Sequence, residues 1–343
     1  MDILLVDDSI PFDGYTPSSQ PLGGVEKAFA SLPAALRRRG HDVRVINRCR
    51  FAITADGVPW QTWQDPRPTS CDVLIAYRKP ALLDFPVEAG RRILWLAAPG
   101  GYLEKGPNGA VLERHGDAPL VFAGPAHRAT CPTAFAARAV VIEPGVRPDF
   151  REAADMAPAH PPRAIVTTHP LMDLDWLLRL WVEVVRPAVP DAELHVYSAM
   201  LDKGALGGAA PDRLRPVLDL ALGAHDDGVV IERPRADPDM ADAYRAARVH
   251  LYPGAVGEVH CATLAESQAV GLPAVTRRFA AVAERIRDSE TGFLVPDDEA
   301  FASCAILLLI DDGVFRGRSG DARTHQRSRS WDDAAAEFET LFR

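Results

Sequence analysis

Short runs of aliphatic and β-branched residues alternate with helix-forming stretches along this chain, and that alternation limits the folds available to it. Runs of this kind predict strands, and strands separated by helical segments are typical of parallel sheets in α/β proteins. The predicted strands are residues 3–6, 42–46, 72–76, 92–96, 120–122, 139–142, 164–167, 194–197, 229–231, 249–252 and 274–276. The sequence therefore predicts an α/β fold with Rossmann-like parallel sheets.

The segment after the first predicted strand has the pattern of an amphipathic helix. Its apolar residues Val25, Phe29, Leu32 and Leu36 recur at helical spacing, and Gly40 is suited to a left-handed helix end. We therefore expect a helix between the first two predicted strands that ends at Gly40.

Gly23 and Gly24 lie between that strand and that helix. Paired glycines let a ligand approach the backbone, and a helix N-terminus offers unpaired N–H groups to an anion. A plain turn is an equally good interpretation. The dinucleotide fingerprint Gly-x-Gly-x-x-Gly does not follow the strand, which argues against an NAD-dependent enzyme.

The length of 343 residues is sufficient for two domains. Residues 151–162 are rich in alanine and proline and lack periodicity, so they are the best candidate for a linker. We predict one domain over residues 1–153, a second over 154–328, and a terminal helix over 329–343.

Charge and cysteine content narrow the classes of function. The chain has 38 Lys and Arg against 47 Asp and Glu, a net charge of −9 that argues against nucleic-acid partners. Five scattered cysteines without metal-ligand spacing indicate a reducing cytoplasm. Met1 leads directly into the first predicted strand, so no signal peptide is expected, and the apolar run 300–310 is too short for a membrane span. Peripheral contact with a membrane remains open.

The most specific pattern follows the predicted strand 249–252. Glu258 and Glu266 lie eight positions apart, with Glu266 on a predicted helix and Glu258 in the loop before it. Carboxylates accept hydrogen bonds from sugar hydroxyls, while the N–H groups near Cys261, Ala262 and Thr263 are suited to a phosphate. The alternative is a helix with two surface glutamates. His115, His127 and His160 lie in loop-like segments and are expected to be solvated.

Several segments together resemble one known family. They are residues 23–26, 36–43, 143–146, 244–273, 283–288 and 291–295. Their motifs are similar to those of the family 4 retaining glycosyltransferases, and the resemblance covers nearly the whole chain.

The resemblance implies the GT-B fold, in which two Rossmann-like domains face each other across a cleft. Residues 1–153 would bind the acceptor, residues 154–328 would bind a nucleotide-diphosphate sugar, and the terminal helix would pack back on the first domain. The acceptor would be a small molecule, a lipid-linked molecule or a glycan with a free hydroxyl. The family resemblance implies neither a metal nor any cofactor beyond the donor substrate.

The resemblance also implies roles for single residues. Glu258 would be the catalytic residue that contacts the transferred sugar, and Glu266 would bind the ribose hydroxyls. Val259, His260 and Cys261 would approach the sugar, Thr263 the pyrophosphate, and Gly23 and Gly24 the acceptor.

The chain departs from the family pattern at three places, one of which is Pro144, where the family usually has Asn before Gly145. Many members have Arg and Lys after the first strand of the second domain, where residues 167–173 contain only His169 as a basic group. Relatives often have His near residues 97–101, which hold none. The candidates for the missing positive charge are Lys203, which is expected in a loop after the predicted strand 194–197, Arg147 and Arg235. Each is otherwise an ordinary surface residue. A catalytically weakened relative that binds nucleotide sugar or supports a partner enzyme, and a GT-B enzyme with other chemistry such as an epimerase, stay open as alternatives.

Overall fold

The computed structural model describes residues 1–343, which form two compact units. The first comprises Met1–Arg147 and Arg329–Arg343, and the second comprises Pro148–Ser328. The division falls earlier than the predicted boundary at 153/154. The reason is that the short helix Pro148–Arg151 packs within the second unit, where the ring of Phe150 lies 6.0 Å from that of Tyr244.

The first unit is built on an eight-stranded sheet. In chain order its strands are β1 (Asp2–Val6), β2 (Asp42–Asn47), β3 (Ile53–Ala55), β4 (Val58–Thr62), β5 (Ser70–Tyr77), β6 (Glu88–Trp95), β7 (Leu120–Phe122) and β8 (Ala139–Val141). They are arranged in the order β3-β4-β2-β1-β5-β6-β7-β8. All neighbouring strands are parallel except the hairpin of β3 and β4.

The second unit is built on a six-stranded parallel sheet. Its strands are β9 (Arg163–Val166), β10 (Glu193–Tyr197), β11 (Val229–Glu232), β12 (Val249–Tyr252), β13 (Ala274–Arg277) and β14 (Gly292–Val295). They are arranged in the order β11-β10-β9-β12-β13-β14. Every pair is parallel. All the predicted strands are present in the two sheets, whereas β3, β4 and β14 were not predicted.

Helices join the strands in both units. In chain order they are α1 (Thr16–Ser19), α2 (Gly24–Arg38), α3 (Asn108–Arg114), α4 (Pro125–Arg128), α5 (Pro148–Arg151), α6 (Leu174–Leu180), α7 (Arg186–Ala188), α8 (Ala199–Ala205), α9 (Arg215–Gly223), α10 (Asp237–Arg245), α11 (Ala262–Val270), α12 (Val282–Arg285), α13 (Asp298–Ile310), α14 (Asp312–Gln326) and α15 (Trp331–Glu339). None of them is long and apolar enough to cross a membrane.

Helix α2 forms as its apolar spacing predicts. Phe29, Leu32 and Leu36 are fully buried in the first core. Gly40 has φ 91°, a left-handed conformation that a residue with a side chain rarely adopts, and the helix ends just before it. The glycine therefore marks the C-terminal end of α2, as its position in the sequence predicts.

Helix α15 packs on α2 within the first unit. Its apolar face contributes Trp331, Ala334 and Phe338 to the core, and the rings of Phe338 and Trp95 lie 5.2 Å apart. Gly145 makes this close approach possible, because a Cβ there would lie 2.4 Å from the backbone nitrogen of Trp331.

Candidate functional site

The N-terminus of α11 is the centre of the candidate site in the second unit. The preceding residue, Cys261, has φ 45°, and no side chain caps the helix. A left-handed conformation at a non-glycine residue costs on the order of 1–3 kcal/mol and tends to occur at functional sites. The first-turn N–H groups have no partner inside the helix, so they are suited to bind an anion.

Glu258 lies in the loop between β12 and α11. Its Oε1 accepts a hydrogen bond from the hydroxyl of Tyr252, while its Oε2 is buried without a hydrogen-bond partner. Burial raises the pKa of Glu258 above its ordinary value, although the hydrogen bond from Tyr252 opposes this effect. The carboxyl group is therefore sheltered from water and directed towards the end of β12.

Glu266 lies within α11, one helical turn after Thr263. Only 7% of Glu266 is exposed, and residues three apart in a helix share one face. A buried carboxylate is costly unless it is compensated, so burial here contradicts the alternative of two surface glutamates. The structure thus places Thr263 and Glu266 side by side along α11.

The other residues predicted near the sugar form the loop that enters α11. Val259 and Cys261 are buried and His260 is partly buried. Burial, together with the neighbouring Glu258, raises the pKa of Cys261 well above its ordinary range. The thiol is consequently a neutral group and is not suited to act as a nucleophile.

Buried polar side chains connect the first turn of α11 to the interior of the sheet. The imidazole of His250 on β12 lies between two hydroxyls, with Nδ1 2.8 Å from Oγ of Ser267 and Nε2 3.0 Å from Oγ1 of Thr167. Thr167 Oγ1 lies 2.9 Å from Oγ1 of Thr263. The Thr263 side chain is therefore held by a chain of hydrogen bonds that begins in the core.

The three predicted sources of positive charge have different surroundings. Lys203 was expected in a loop, but it lies on α8, which forms because Ser198 caps the helix by accepting the Leu201 N–H at 3.3 Å. Arg235 pairs with Glu232 at 3.0 Å. Arg147 belongs to the first unit, where it donates to the Ser18 hydroxyl at 2.9 Å.

Arg277 is a charged residue at the sheet edge that the sequence analysis missed. It ends β13, donates from Nε to the Pro253 carbonyl at 3.0 Å, and pairs with Asp173. Its guanidinium lies 4.4 Å from the ring centre of Trp176 and 4.9 Å from that of Phe279. It thereby joins the loops that follow β9 and β12, at the carboxyl edge where parallel sheets bind ligands.

His169 does not supply the positive charge that the loop after β9 lacks. Burial and the nearby Arg213 lower its pKa, and its Nδ1 accepts the N–H of Leu171 at 3.2 Å. The ring is therefore neutral near pH 7.

The glycine pair of the first unit lies beside a charged cluster. Gly23 is the N-cap of α2, and a Cβ there would lie 2.4 Å from Oε2 of Glu26. Arg78 donates from Nη2 to the other oxygen of Glu26 at 2.7 Å, and its Nε lies 3.9 Å from Asp7, which is 1% exposed. Asp7 ends up at the carboxyl end of β1 and Arg78 at that of β5, so the fold assembles this cluster from three separate segments.

Residues 97–101, where the resemblance would place a histidine, are instead hydrogen-bonded by His127, which lies later in the sequence. His127 is fully buried, which corrects the expectation that it is solvated. Its Nδ1 accepts the Ala123 N–H at 3.0 Å, and its Nε2 donates to the Ala98 carbonyl at 2.8 Å. Both ring nitrogens are thus used by the backbone, so His127 acts as an internal brace.

Comparison with solved structures identifies the fold. Sucrose-phosphate synthase from Thermosynechococcus elongatus aligns over 100% of this chain and 98% of its own, with a TM-score of 0.73 and 14% identity. Anabaena Alr3699/HepE, solved in complex with UDP-glucose, aligns over 99% and 98%, with a TM-score of 0.69 and 14% identity. At these identities the likeness establishes the fold alone, which is GT-B.

Sequence comparison finds similarity over part of the chain. Residues 165–311 match the sequence model described as "Glycosyl transferases group 1". D-inositol 3-phosphate glycosyltransferase of Corynebacterium efficiens is 32% identical over 167 residues, which are 45% of this chain and 39% of that protein. The enzyme of the same name from Rhodococcus jostii is 28% identical over 208 residues, which are 57% and 45%.

The matched region contains the whole of the α11 site, from β9 to α13. The chain spans about a third to two fifths of the length of the first curated relatives it matches. These matches show that residues 165–311 are similar to the group 1 glycosyltransferases, while the solved structures show the GT-B fold over the whole chain.

Proposed function

We propose that this chain is a retaining glycosyltransferase that transfers a sugar from a nucleotide-diphosphate sugar to a hydroxyl acceptor without a metal. One observation carries the proposal. The uncapped N-terminus of α11 is preceded in the sequence by the sheltered carboxyl group of Glu258 and followed within the helix by that of Glu266, in the region that matches group 1 glycosyltransferases.

Each part of the donor has a group suited to it. The first-turn N–H groups of α11 and the Thr263 hydroxyl bind the pyrophosphate, since both are donors directed at an anion. Glu266 accepts hydrogen bonds from the ribose hydroxyls. Glu258 contacts the transferred sugar as the catalytic residue, and Val259, His260 and Cys261 form the surrounding loop.

In the reaction, the bond between the anomeric carbon and the pyrophosphate oxygen breaks, and an acceptor oxygen bonds to that carbon on the same face. The acceptor proton passes to the departing pyrophosphate. Preorganised N–H groups that face the developing anion lower the barrier, because they need no reorganisation as charge builds up. The acceptor binds at the Gly23-Gly24 loop of the first unit.

The solved UDP-glucose complex of Anabaena Alr3699/HepE supports a nucleotide sugar as donor. The acceptor class stays open between small molecules, lipid-linked molecules and glycans. Transfer should persist in excess chelator, because helix N–H groups rather than a divalent cation face the pyrophosphate. Loss of activity on chelation and its return with Mg²⁺ or Mn²⁺ would contradict the metal-free mechanism.

A catalytically weakened relative is the second candidate, and a specific observation favours it. Residues 167–173 contain no Arg or Lys, and the neutral state of His169 leaves the loop after β9 without positive charge of its own. Such a protein would bind nucleotide sugar without transferring it.

A thermal-shift panel of nucleotide-diphosphate sugars, followed by transfer assays with the donor that binds, separates the two candidates. A donor at about 100 times its Kd stabilises the fold by about 2.7 kcal/mol. Binding with transfer supports the enzyme, and binding without transfer to any acceptor supports the weakened relative. No stabilisation by any donor would contradict both.

We also propose a cytoplasmic location, because all five cysteines are free thiols. Recovery of the native protein in the cytoplasmic fraction tests it, and recovery from an oxidising compartment would contradict it.

A further inference from the structure

His250 occupies an unusual position for an ionisable side chain. It is fully buried on the central strand β12, and hydroxyls flank both ring nitrogens: Ser267 at Nδ1 and Thr167 at Nε2. From Thr167 the chain of hydrogen bonds continues to Thr263, which is partly exposed in the first turn of α11. A core imidazole is thereby linked to the surface of the donor site.

The hydrogen-bonded side chains of Ser267, His250, Thr167 and Thr263, together called the relay, share a limited number of protons. Burial lowers the pKa of His250 to about 3, so near pH 7 the ring carries one N–H. Each hydroxyl also donates one hydrogen bond. The tautomer of His250 therefore decides in which direction each hydroxyl of the relay donates its hydrogen bond.

The two tautomers have opposite consequences at Thr263. With the proton on Nδ1, the ring donates to Ser267, whose hydroxyl turns to the Leu264 carbonyl 3.1 Å away. Nε2 then accepts from Thr167, and Thr263 donates inward to Thr167. With the proton on Nε2, Ser267 donates to Nδ1, the ring donates to Thr167, and Thr167 donates to Thr263. Only this second arrangement frees the Thr263 proton.

We propose that His250 is a positioning residue that, as its Nε2–H tautomer, directs the Thr263 hydroxyl outward to donate to a phosphate of the bound nucleotide. This inference rests on the proposed donor function of α11. It adds that a buried histidine determines whether the Thr263 hydroxyl can donate a hydrogen bond to the phosphate. Thr167 is the intermediate link, because it alone connects the imidazole to Thr263.

The test compares a nucleoside diphosphate with its nucleoside, the base being chosen from UDP, GDP and ADP by the tightest binding to the wild-type protein. Kd is measured for both compounds in Thr167→Val, Thr263→Val and Thr291→Val. Valine keeps the shape of threonine and removes the hydroxyl. Thr291 is a buried threonine just before β14, and because its hydroxyl also takes part in a hydrogen bond, with the Arg287 N–H at 3.0 Å, it serves as the control for loss of a threonine hydroxyl outside the relay.

We expect Thr167→Val and Thr263→Val to raise the Kd of the diphosphate by at least about tenfold. The Kd of the nucleoside should stay unchanged, because the lost contact is to phosphate alone. Thr291→Val should leave both values as they are. Imidazole nitrogen NMR of the wild-type protein should show His250 as the Nε2–H tautomer in the diphosphate complex. This measurement needs no variant of His250.

The possible outcomes distinguish a failure of this inference from a failure of the proposed donor site. If no nucleotide binds the wild-type protein, the donor site itself is wrong, and the relay with it. If nucleotide binds but Thr167→Val keeps the full preference for diphosphate over nucleoside, the relay is overturned while the donor site stands. A bound state with the proton on Nδ1 overturns the relay as well.

Discussion

Tyr252 donates its phenolic hydrogen to Oε1 of Glu258, so a buried tyrosine at the end of β12 holds the carboxyl group at the entrance to α11. The contact joins the last residue of a strand to the loop that carries the proposed catalytic residue. It also explains how a carboxyl group is kept in a fixed orientation with one oxygen, Oε2, buried and without a hydrogen bond.

The raised pKa of Glu258 predicts a pH-dependent stability. The folded protein holds the carboxyl proton more tightly than the unfolded chain does, so the free energy of unfolding falls as pH rises from the ordinary pKa of 4.5 through the raised value. Glu258→Gln cannot ionise and lacks this loss. The melting temperature of the variant relative to that of the wild type should therefore increase as pH rises above about 4.5, and each tenfold difference in proton affinity corresponds to about 1.4 kcal/mol.

Glu290→Gln is the matched control for this experiment, since it makes the same chemical change at an exposed glutamate. A constant difference in melting temperature between Glu258→Gln and the wild type at every pH would contradict the prediction. Glu258→Gln should also slow transfer, which is measured separately with the donor found in the panel.

Glu266→Ala should abolish donor binding while the fold stays intact. Two hydrogen bonds from ribose hydroxyls to a carboxylate, at roughly 1.5–3 kcal/mol each, correspond to about two to four decades in Kd. Calorimetric titration measures the affinity, and circular dichroism checks the fold. A folded variant with unchanged affinity would remove Glu266 from the site, and Glu290→Ala shows the effect of losing an unrelated glutamate.

Local sequence pattern predicts most of the strands, because alternating β-branched runs and helical spacing are set by neighbouring residues. The hairpin of β3 and β4 was missed although its turn carries a local signal. Asp56 and Gly57 have φ 50° and 76°, and Asp-Gly is a preferred pair for a two-residue hairpin turn in which both residues have positive φ. The short β14 was missed because only its pairing with β13 makes it a strand.

The candidate site was predictable only where its residues are close in sequence. Glu258, Thr263 and Glu266 lie on one loop and one helix, so their spacing is informative. Arg277 with Asp173, and Arg78 with Glu26, meet because parallel strands end at a common edge. Such pairs depend on strand order, which no local pattern contains.

Gly24→Val should impair transfer more than folding. Gly24 is the first residue of α2, where valine adds a branched side chain and restricts the backbone at the proposed acceptor site. We expect unchanged donor affinity and much reduced turnover. Gly101→Val is a control glycine with open space around its Cβ position. A wild-type turnover in Gly24→Val would mean that the loop is a simple turn.

The source of positive charge for the departing pyrophosphate is the remaining question at the site. The sequence suggests three candidates for this charge, Lys203, Arg147 and Arg235, and the structure adds Arg277 as a fourth. Arg235 is paired with Glu232, while Lys203 is exposed on α8. Arg277 differs from both, because it ends β13 and contacts the loops after β9 and β12.

We predict that Arg277→Met lowers turnover by more than about tenfold with a much smaller change in donor affinity, because the added negative charge on the leaving group appears only in the transition state. Methionine retains part of the packing between Trp176 and Phe279 while removing the charge. Single-turnover rates and donor Kd values should be measured for this variant and for Lys203→Ala, Arg147→Ala and Arg235→Ala. If all four retain the wild-type rate, no arginine or lysine in this set compensates for the missing charge, and the α11 N–H groups must stabilise the pyrophosphate without them. A parallel loss of affinity and rate in Arg277→Met would instead assign Arg277 to ground-state binding.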